Sequence, residues 1–170
     1  HKLSGNVVTN TSKNGAVVLL CAALLNKGKT TIHKMPRIEE VYRLTEVLES
    51  IGVKIEWKDS SLTIIPPNKF DLKGIDEVAA KRTRSIIMFI GPLMHHLKKF
   101  ALPQSGGCKL GSRTVRPHFY ALEHFGVGIE VTEDAYKVTH HAKKPKEIIL
   151  YESGDTVTEN ALMAAALSPR

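Results

Sequence analysis

The chain contains the stretch Leu48-Glu49-Ser50-Ile51-Gly52-Val53-Lys54-Ile55-Glu56, in which a helical pattern ends at a glycine and an alternating strand begins. The same pattern returns as Leu122-Glu123-His124-Phe125-Gly126-Val127-Gly128-Ile129-Glu130. Each copy is followed by a second alternating segment, at 62–65 and 136–139, which predicts a hairpin. A pattern that recurs with the same neighbours indicates a repeat architecture.

The predicted repeat unit is strand, helix, strand, helix and hairpin. We expect two such units, at about residues 5–66 and 70–140. A third begins in 145–170, where 158–167 is similar to the first helix. Because that unit stops after one helix and the chain lacks an initiating methionine, we expect a fragment of a longer protein.

Local signals place the individual elements. A short strand is expected around residues 7–8, and Ser12 is a plausible N-cap for an apolar helix over 16–25. Apolar residues at helical spacing predict a second helix over 38–51, with acids in its first turn. The leading helix of the second unit, 83–93, contains a proline that should kink or break it.

Composition favours a globular protein with an anionic partner. The 170 residues are 42% hydrophobic and carry a formal charge of +7. The chain is only 6% aromatic, and no aromatic residues interleave the scattered basic ones, so a stacking platform for nucleic acid is not predicted. No apolar run reaches the length of a membrane span, no signal peptide opens the chain, and the two cysteines form no disulfide framework. We therefore expect a cytoplasmic protein without a membrane partner, while charge alone leaves phosphorylated metabolites, nucleotides and nucleic acid open as anionic partners.

A glycine-rich loop at 102–113 contains residues that packing does not require. It has three glycines, Cys108, Lys109 and Arg113 between an apolar run and a helical pattern. Free cysteines are usually buried, so a thiol in a polar loop is unexpected. Such a loop can hold a thiol beside an anion, although a surface turn with an incidental cysteine is the alternative.

Four motifs together resemble one enzyme family. They are Ser12-Lys13-Asn14 before an Ala/Leu helix, Arg84-Ser85 with Gly91-Pro92-Leu93, the loop Gly106-Gly107-Cys108-x-x-Gly111-x-Arg113, and Thr158-Glu159-Asn160. In this order and spacing the chain resembles the UDP-N-acetylglucosamine 1-carboxyvinyltransferases, which are enolpyruvyl transferases of peptidoglycan synthesis. The resemblance implies an α+β fold, an inside-out α/β barrel of βαβαββ repeats with helices inside and sheets outside. Family members have two lobes of three repeats, so residues 1–170 would form most of one lobe, with the second lobe missing and the fragment inactive alone.

The resemblance also implies an activity and a site. The family transfers the enolpyruvyl group of phosphoenolpyruvate to the 3′-hydroxyl of UDP-N-acetylglucosamine, with no cofactor or metal, so the resemblance implies small-molecule substrates and no nucleic-acid partner. Cys108 matches the family's acid, which is also the target of the epoxide fosfomycin. Lys13, Arg84 and Arg113 match cations around phosphoenolpyruvate, and Asn14 matches an asparagine near the sugar hydroxyl. Fixed cations suit an anionic substrate, and a thiol among cations can serve as acid or nucleophile near neutral pH.

Two segments depart from the family pattern. After the loop arginine the family usually has Pro-Val-Asp-x-His, where this chain has Thr114-Val115-Arg116-Pro117-His118. Before Thr-Glu-Asn the family usually has Ser-Val-Gly-Ala, where this chain has Gly154-Asp155-Thr156-Val157. Both segments help to hold the uridine nucleotide in the family, so the resemblance is weaker for the nucleotide than for phosphoenolpyruvate.

Each candidate residue also has a structural explanation. Lys13 and Asn14 could be ordinary helix-start residues, and Arg84 could belong to a solvated basic edge. The histidine pairs 95–96 and 140–141 lack partners at metal-ligand spacing, and Cys21 is expected in the core. Three functional alternatives stay open: an enolpyruvyl transferase acting on shikimate 3-phosphate, a paralogue with altered ligand or no catalysis, and an enzyme related to RNA 3′-phosphate cyclase.

Overall fold

The computed structural model describes residues 2–104, 114–145 and 147–169. Two three-stranded antiparallel sheets have the same topology. The first contains β1 (Thr30–Ile32), β2 (Lys54–Lys58) and β3 (Ser61–Ile65) in the order β1-β3-β2. The second contains β4 (Lys99–Pro103), β5 (Val127–Val131) and β6 (Ala135–His140) in the order β4-β6-β5. In both sheets the last strand of the hairpin therefore pairs with the single strand that precedes the second helix.

Helices alternate with these strands. The first unit has α1 (Lys13–Ala22), which continues as a 3₁₀ helix (Ala23–Leu25), and α2 (Glu39–Ser50). The short α3 (Glu77–Lys81) connects the units. The second unit has a 3₁₀ helix (Arg84–Phe89) that leads into α4 (Ile90–Leu93), and then α5 (Arg116–Glu123). The last helix is α6 (Asp155–Ala166).

The hydrophobic core lies between the helices and one face of each sheet. In β3 buried residues alternate with partly exposed ones, and Leu62 and Ile64 are completely buried. The opposite face of this sheet is turned to solvent. α6 packs against α1, α4 and α5, so the helices mainly contact one another. The mixed α+β fold expected from the sequence is confirmed.

The glycine in the repeated pattern has a physical reason. Gly52 and Gly126 have φ angles of 96° and 82°, which side chains rarely tolerate. A Cβ on Gly126 would also overlap the backbone oxygen of His141. Glycine therefore ends the second helix of each unit and turns the chain into its hairpin.

One local prediction was wrong. Residues 7–8 form no strand: Val7 and Val8 are 90% and 94% exposed and pair with no strand in the described part of the chain. The leading helix over 83–93 is interrupted, as its proline predicts: it is a 3₁₀ helix up to Phe89 and an α-helix from Ile90 to Leu93. A proline ring clashes with the carbonyl four residues earlier. For Pro92 that residue is Met88, which lies in the 3₁₀ segment.

Candidate active site

A cavity of about 600 Å³ opens where the beginnings of α1, α5 and α6 meet the chain between α3 and α4. Its described lining residues come from these four segments, from α2 and from the loop before α6. They are Lys13, Asn14, Val17, Glu40, Arg82, Thr83, Arg84, Ser85, Ile87, Met88, Thr114, Val115, Pro117, His118, Glu152, Thr156 and Val157. We call this space the central cavity. Both units of the repeat contribute to it.

The start of α1 supplies one cation of the central cavity. The Ser12 side chain accepts a hydrogen bond from the Gly15 N–H at 3.1 Å and so fixes the first turn, as the sequence predicts. Lys13 is the first residue of α1 and Asn14 the second, and both line the cavity. The free N–H groups of this turn add partial positive charge on the same side.

Glu40 connects three elements at this cationic side. Its carboxylate lies 2.8 Å from Lys13 Nζ, and it accepts hydrogen bonds from the hydroxyls of Thr83, at 2.9 Å, and Ser85. Burial alone would raise the pKa of Glu40, but hydrogen bonds from Lys13, Ser85 and Thr83 outweigh it and hold the pKa below its usual value. Glu40 is therefore a carboxylate at neutral pH that holds α1 and the 3₁₀ helix against α2.

Two arginines extend the cationic side. Arg82 Nη2 lies 2.7 Å from Oε1 of Glu39, and Arg84 begins the 3₁₀ helix. The Thr83 side chain between them is the N-cap of that helix and accepts from the Ser85 N–H. Because Glu40 binds Thr83 and Ser85, it also fixes the backbone on both sides of Arg84.

A histidine that contacts a buried asparagine lies on the other side of the cavity. His118, on α5, is 7% exposed, and its Nδ1 lies 3.2 Å from Nδ2 of the completely buried Asn160. Asn160 also accepts a hydrogen bond from the Gly91 N–H and donates one to Ile87 O. A Cβ on Gly91 would overlap the Asn160 amide oxygen, so glycine permits the close approach of α4 and α6.

The structure brings three predicted site residues together. Lys13, Asn14 and Arg84 line the central cavity although they come from separate segments. The other two, Cys108 and Arg113, lie outside the described residues. Thr114, where the described chain resumes after that loop, also lines the cavity.

Other predicted residues lie away from the described lining. Arg116 and Asp155, the departures from the family pattern, are exposed at the first positions of α5 and α6. Cys21 is completely buried, as expected. His95 and His96 bind the backbone oxygens of Met163 and Leu24.

Glu40, Ser85 and His118 were not predicted as site residues. Glu39 and Glu40 were both expected as helix-start acids, and no signal distinguishes the one that faces the cavity. Within residues 2–104, 114–145 and 147–169, no group of three His, Cys, Asp or Glu side chains could hold a metal ion. No helix in these ranges is long and apolar enough to cross a membrane.

The chain is similar in sequence to known proteins of one family. The sequence model of the EPSP synthase (3-phosphoshikimate 1-carboxyvinyltransferase) family matches residues 1–169. UDP-N-acetylglucosamine 1-carboxyvinyltransferase from Treponema denticola is 31% identical over 98% of this chain and 39% of its own length. The enzyme of that name from Thermobifida fusca is 34% identical over 99% of this chain and 41% of its own length.

Solved structures show the same fold at lower identity. The enolpyruvyl transferase NikO from Streptomyces tendae superposes with a TM-score of 0.78 at 18% identity, over 98% of this chain and 39% of NikO. EPSP synthase from Acinetobacter baumannii gives a TM-score of 0.69 at 19% identity, over 94% of this chain and 37% of that chain. The chain thus spans about two fifths of the length of its relatives. Because the family match extends over nearly every residue, the chain belongs to the EPSP synthase (3-phosphoshikimate 1-carboxyvinyltransferase) family.

Proposed function

We propose that the protein transfers the enolpyruvyl group of phosphoenolpyruvate to the 3′-hydroxyl of UDP-N-acetylglucosamine, a step in peptidoglycan precursor synthesis. The observation that carries the proposal is that Lys13, Asn14 and Arg84 line one cavity, and that Thr114, the residue after the glycine-rich loop at 102–113, lines the same cavity. The relatives that share about a third of its residues have this activity in their names.

The cationic side of the central cavity suits phosphoenolpyruvate. This substrate carries a phosphate and a carboxylate, and fixed positive groups stabilise such charge without reorganising during the reaction. Arg84 offers a planar fork that matches either group, while Lys13 offers a point charge beside the first N–H groups of α1. Arg113 is proposed as the third cation.

The proposed reaction is an addition followed by an elimination. The 3′-hydroxyl oxygen bonds to C2 of phosphoenolpyruvate as the Cys108 thiol gives a proton to C3, and the hydroxyl loses its proton to a base. The tetrahedral intermediate then returns a proton from C3 to the Cys108 thiolate as the bond from C2 to the phosphate oxygen breaks and the double bond forms again in the enolpyruvyl ether. Inorganic phosphate leaves with the proton that the base had taken from the hydroxyl. Asn14 is proposed to orient the sugar hydroxyl.

We propose that the chain forms most of one lobe of a two-lobed cytoplasmic enzyme. Its length, about two fifths of the relatives, fits a single lobe. In that arrangement the second lobe closes the cavity and supplies the base, which none of the residues proposed here provides. The 170-residue chain alone is then inactive.

Phosphate release and fosfomycin labelling test the proposal in the full-length protein. We expect release of phosphate from phosphoenolpyruvate only with UDP-N-acetylglucosamine, and a fosfomycin adduct at Cys108 that this nucleotide sugar promotes. Cys21 is the internal control, because it is completely buried and should stay unmodified. Absence of both signals from a folded protein contradicts the proposal.

The family model favours one second candidate, transfer to shikimate 3-phosphate. The Gly-Gly-Cys loop at 106–108 argues against it, because the resemblance assigns that loop to the UDP-N-acetylglucosamine enzymes. The same phosphate-release measurement with shikimate 3-phosphate as acceptor distinguishes the two.

A further inference from the structure

Arg82 is a cation of the central cavity to which the family resemblance assigns no role. It follows α3 as the C-cap of that helix, and its N–H donates to Ala79 O at 3.1 Å. The next residue, Thr83, is 4% exposed, and its hydroxyl donates to Glu40. The backbone of Arg82 is therefore held on both sides, while its side chain is free to change direction.

The side chain of Arg82 has a weakly bound partner. Its Nη2 lies 2.7 Å from Glu39 Oε1, but the two side chains are 55% and 62% exposed. Exposed ion pairs contribute little to stability, because water and salt screen both charges. The same Glu39 oxygen lies 3.3 Å from Arg43 Nε, so Glu39 keeps one cation if Arg82 leaves. A more highly charged anion can therefore replace Glu39 as the partner of Arg82.

The charges around the cavity indicate which anion this is. The described lining residues that carry a charge are Lys13, Glu40, Arg82, Arg84 and Glu152. Phosphoenolpyruvate brings about two negative charges on its phosphate at neutral pH, and its carboxylate adds another. Lys13 does not balance these charges alone, because Glu40 lies 2.8 Å from it. The acid beside Arg82 lies outside the described lining, so the cavity gains a positive charge when the guanidinium leaves Glu39.

We propose that Arg82 is a further phosphoenolpyruvate-binding residue, which leaves Glu39 and binds the phosphate group when this substrate enters the central cavity. Glu39 holds the guanidinium until the substrate replaces it. The planar guanidinium can donate two parallel hydrogen bonds to phosphate oxygens. This inference rests on the proposed function, because it concerns the same substrate in the same cavity.

The kinetics of phosphate release by the full-length protein test the contact. Arg82→Gln should raise KM for phosphoenolpyruvate about tenfold, because a hydrogen bond to a charged group is lost. Its KM for UDP-N-acetylglucosamine should stay within about twofold of wild type, and Arg82→Lys should regain part of the loss. Lys81→Gln is the matched control, since it removes the same charge one residue earlier. Lys81 pairs with Glu77 away from the described lining, so KM should change less than about twofold.

Glu39→Gln tests the exchange of partners, because it should act in the opposite direction. Without the charge of Glu39, Arg82 is available to the substrate, and KM for phosphoenolpyruvate should fall about two- to fivefold. In the Arg82→Gln background the same substitution should change KM by less than about twofold, since no guanidinium is left to release. An ion pair that only supports the fold would give a higher KM on loss of either partner.

The outcomes separate the inference from the proposed function. If wild type releases phosphate with UDP-N-acetylglucosamine but Arg82→Gln has the same KM for phosphoenolpyruvate as Lys81→Gln, the inference is wrong and the proposed function stands. A higher KM for UDP-N-acetylglucosamine alone, or equal rises in KM for phosphoenolpyruvate in Arg82→Gln and Glu39→Gln, also overturns the inference. If wild type releases no phosphate from phosphoenolpyruvate with any acceptor, both are wrong.

Discussion

Glu40→Gln tests whether one carboxylate holds the cationic side of the cavity together. The substitution keeps the shape of the side chain and one carbonyl oxygen, but it removes the charge. The new amide nitrogen cannot accept from Lys13, Thr83 or Ser85, the three donors that now surround the carboxylate. We expect a less stable protein whose cavity residues are also less well ordered.

The magnitude follows from these contacts. A hydrogen bond to a charged group contributes about 1.5–3 kcal/mol. The ion pair contributes about 0–1 kcal/mol, because the Lys13 side chain is 57% exposed. One hydroxyl can still bind the amide oxygen, so the free energy of unfolding should fall by about 2 kcal/mol. For a chain of this size that lowers Tm by roughly 4–8 °C.

Urea unfolding at pH 7, followed by the fluorescence of Trp57 and by circular dichroism, measures this loss. Glu39→Gln is the matched control: it is the preceding residue on α2, and its side chain is 62% exposed beside Arg43 and Arg82. The control should change stability by less than about 0.5 kcal/mol. If both variants lost the same free energy of unfolding, the reasoning would be refuted, because any acid in this helical turn would then have the same effect.

The pH dependence gives a second measurement of the same prediction. The folded pKa of Glu40 lies below its usual value, so the stabilisation is fully present above that value and is lost as pH falls through the folded pKa. The difference in unfolding free energy between wild type and Glu40→Gln should therefore shrink as pH falls below the usual pKa of a glutamate and through the folded pKa of Glu40. A difference that stays constant over this range contradicts a role for the charge.

Three further predictions concern the site and its support. Lys13→Gln should lower kcat/KM for phosphoenolpyruvate about 100-fold in the phosphate-release assay; an unchanged value removes Lys13 from the site. Gly91→Ala should cost about 1–3 kcal/mol in urea unfolding, because its Cβ would overlap the amide of Asn160. Gly74→Ala, where a Cβ meets open space, should cost less than about 0.5 kcal/mol. Cys21 should react with iodoacetamide only when the protein unfolds, because burial and then the nearby acids raise the pKa of its thiol; fast labelling of the folded protein contradicts its placement.

Local sequence signals predicted the elements whose causes are local. The apolar spacing of α2 and the glycines at 52 and 126 identified the repeat, because helix period and left-handed backbone depend on nearby residues. The strand predicted at Val7 and Val8 was wrong because that prediction used local sequence alone. β-branched residues favour extended backbone, but a strand also needs a hydrogen-bonded partner, which local sequence does not specify.

The site was only partly predictable because its contacts are distant in sequence. The resemblance identified Lys13, Asn14 and Arg84, but no motif indicated the acid between them. Glu40 accepts hydrogen bonds from Thr83 and Ser85, which are more than 40 residues away in the sequence. Whether Glu39 or Glu40 faces the cavity depends on how α2 packs, and both residues have the same helix-start signal.

The repeat explains why the two sides of the cavity differ in chemistry. α1 and α2 in the first unit correspond to α4 and α5 in the second. In the first unit this helix pair is joined at the cavity by Lys13 and Glu40, which are charged. In the second unit the amide of Asn160 joins the backbone of Gly91 on α4 to His118 on α5. Because the topology is the same, the side chains alone create the difference between an ion pair on one side of the cavity and an amide bridge on the other.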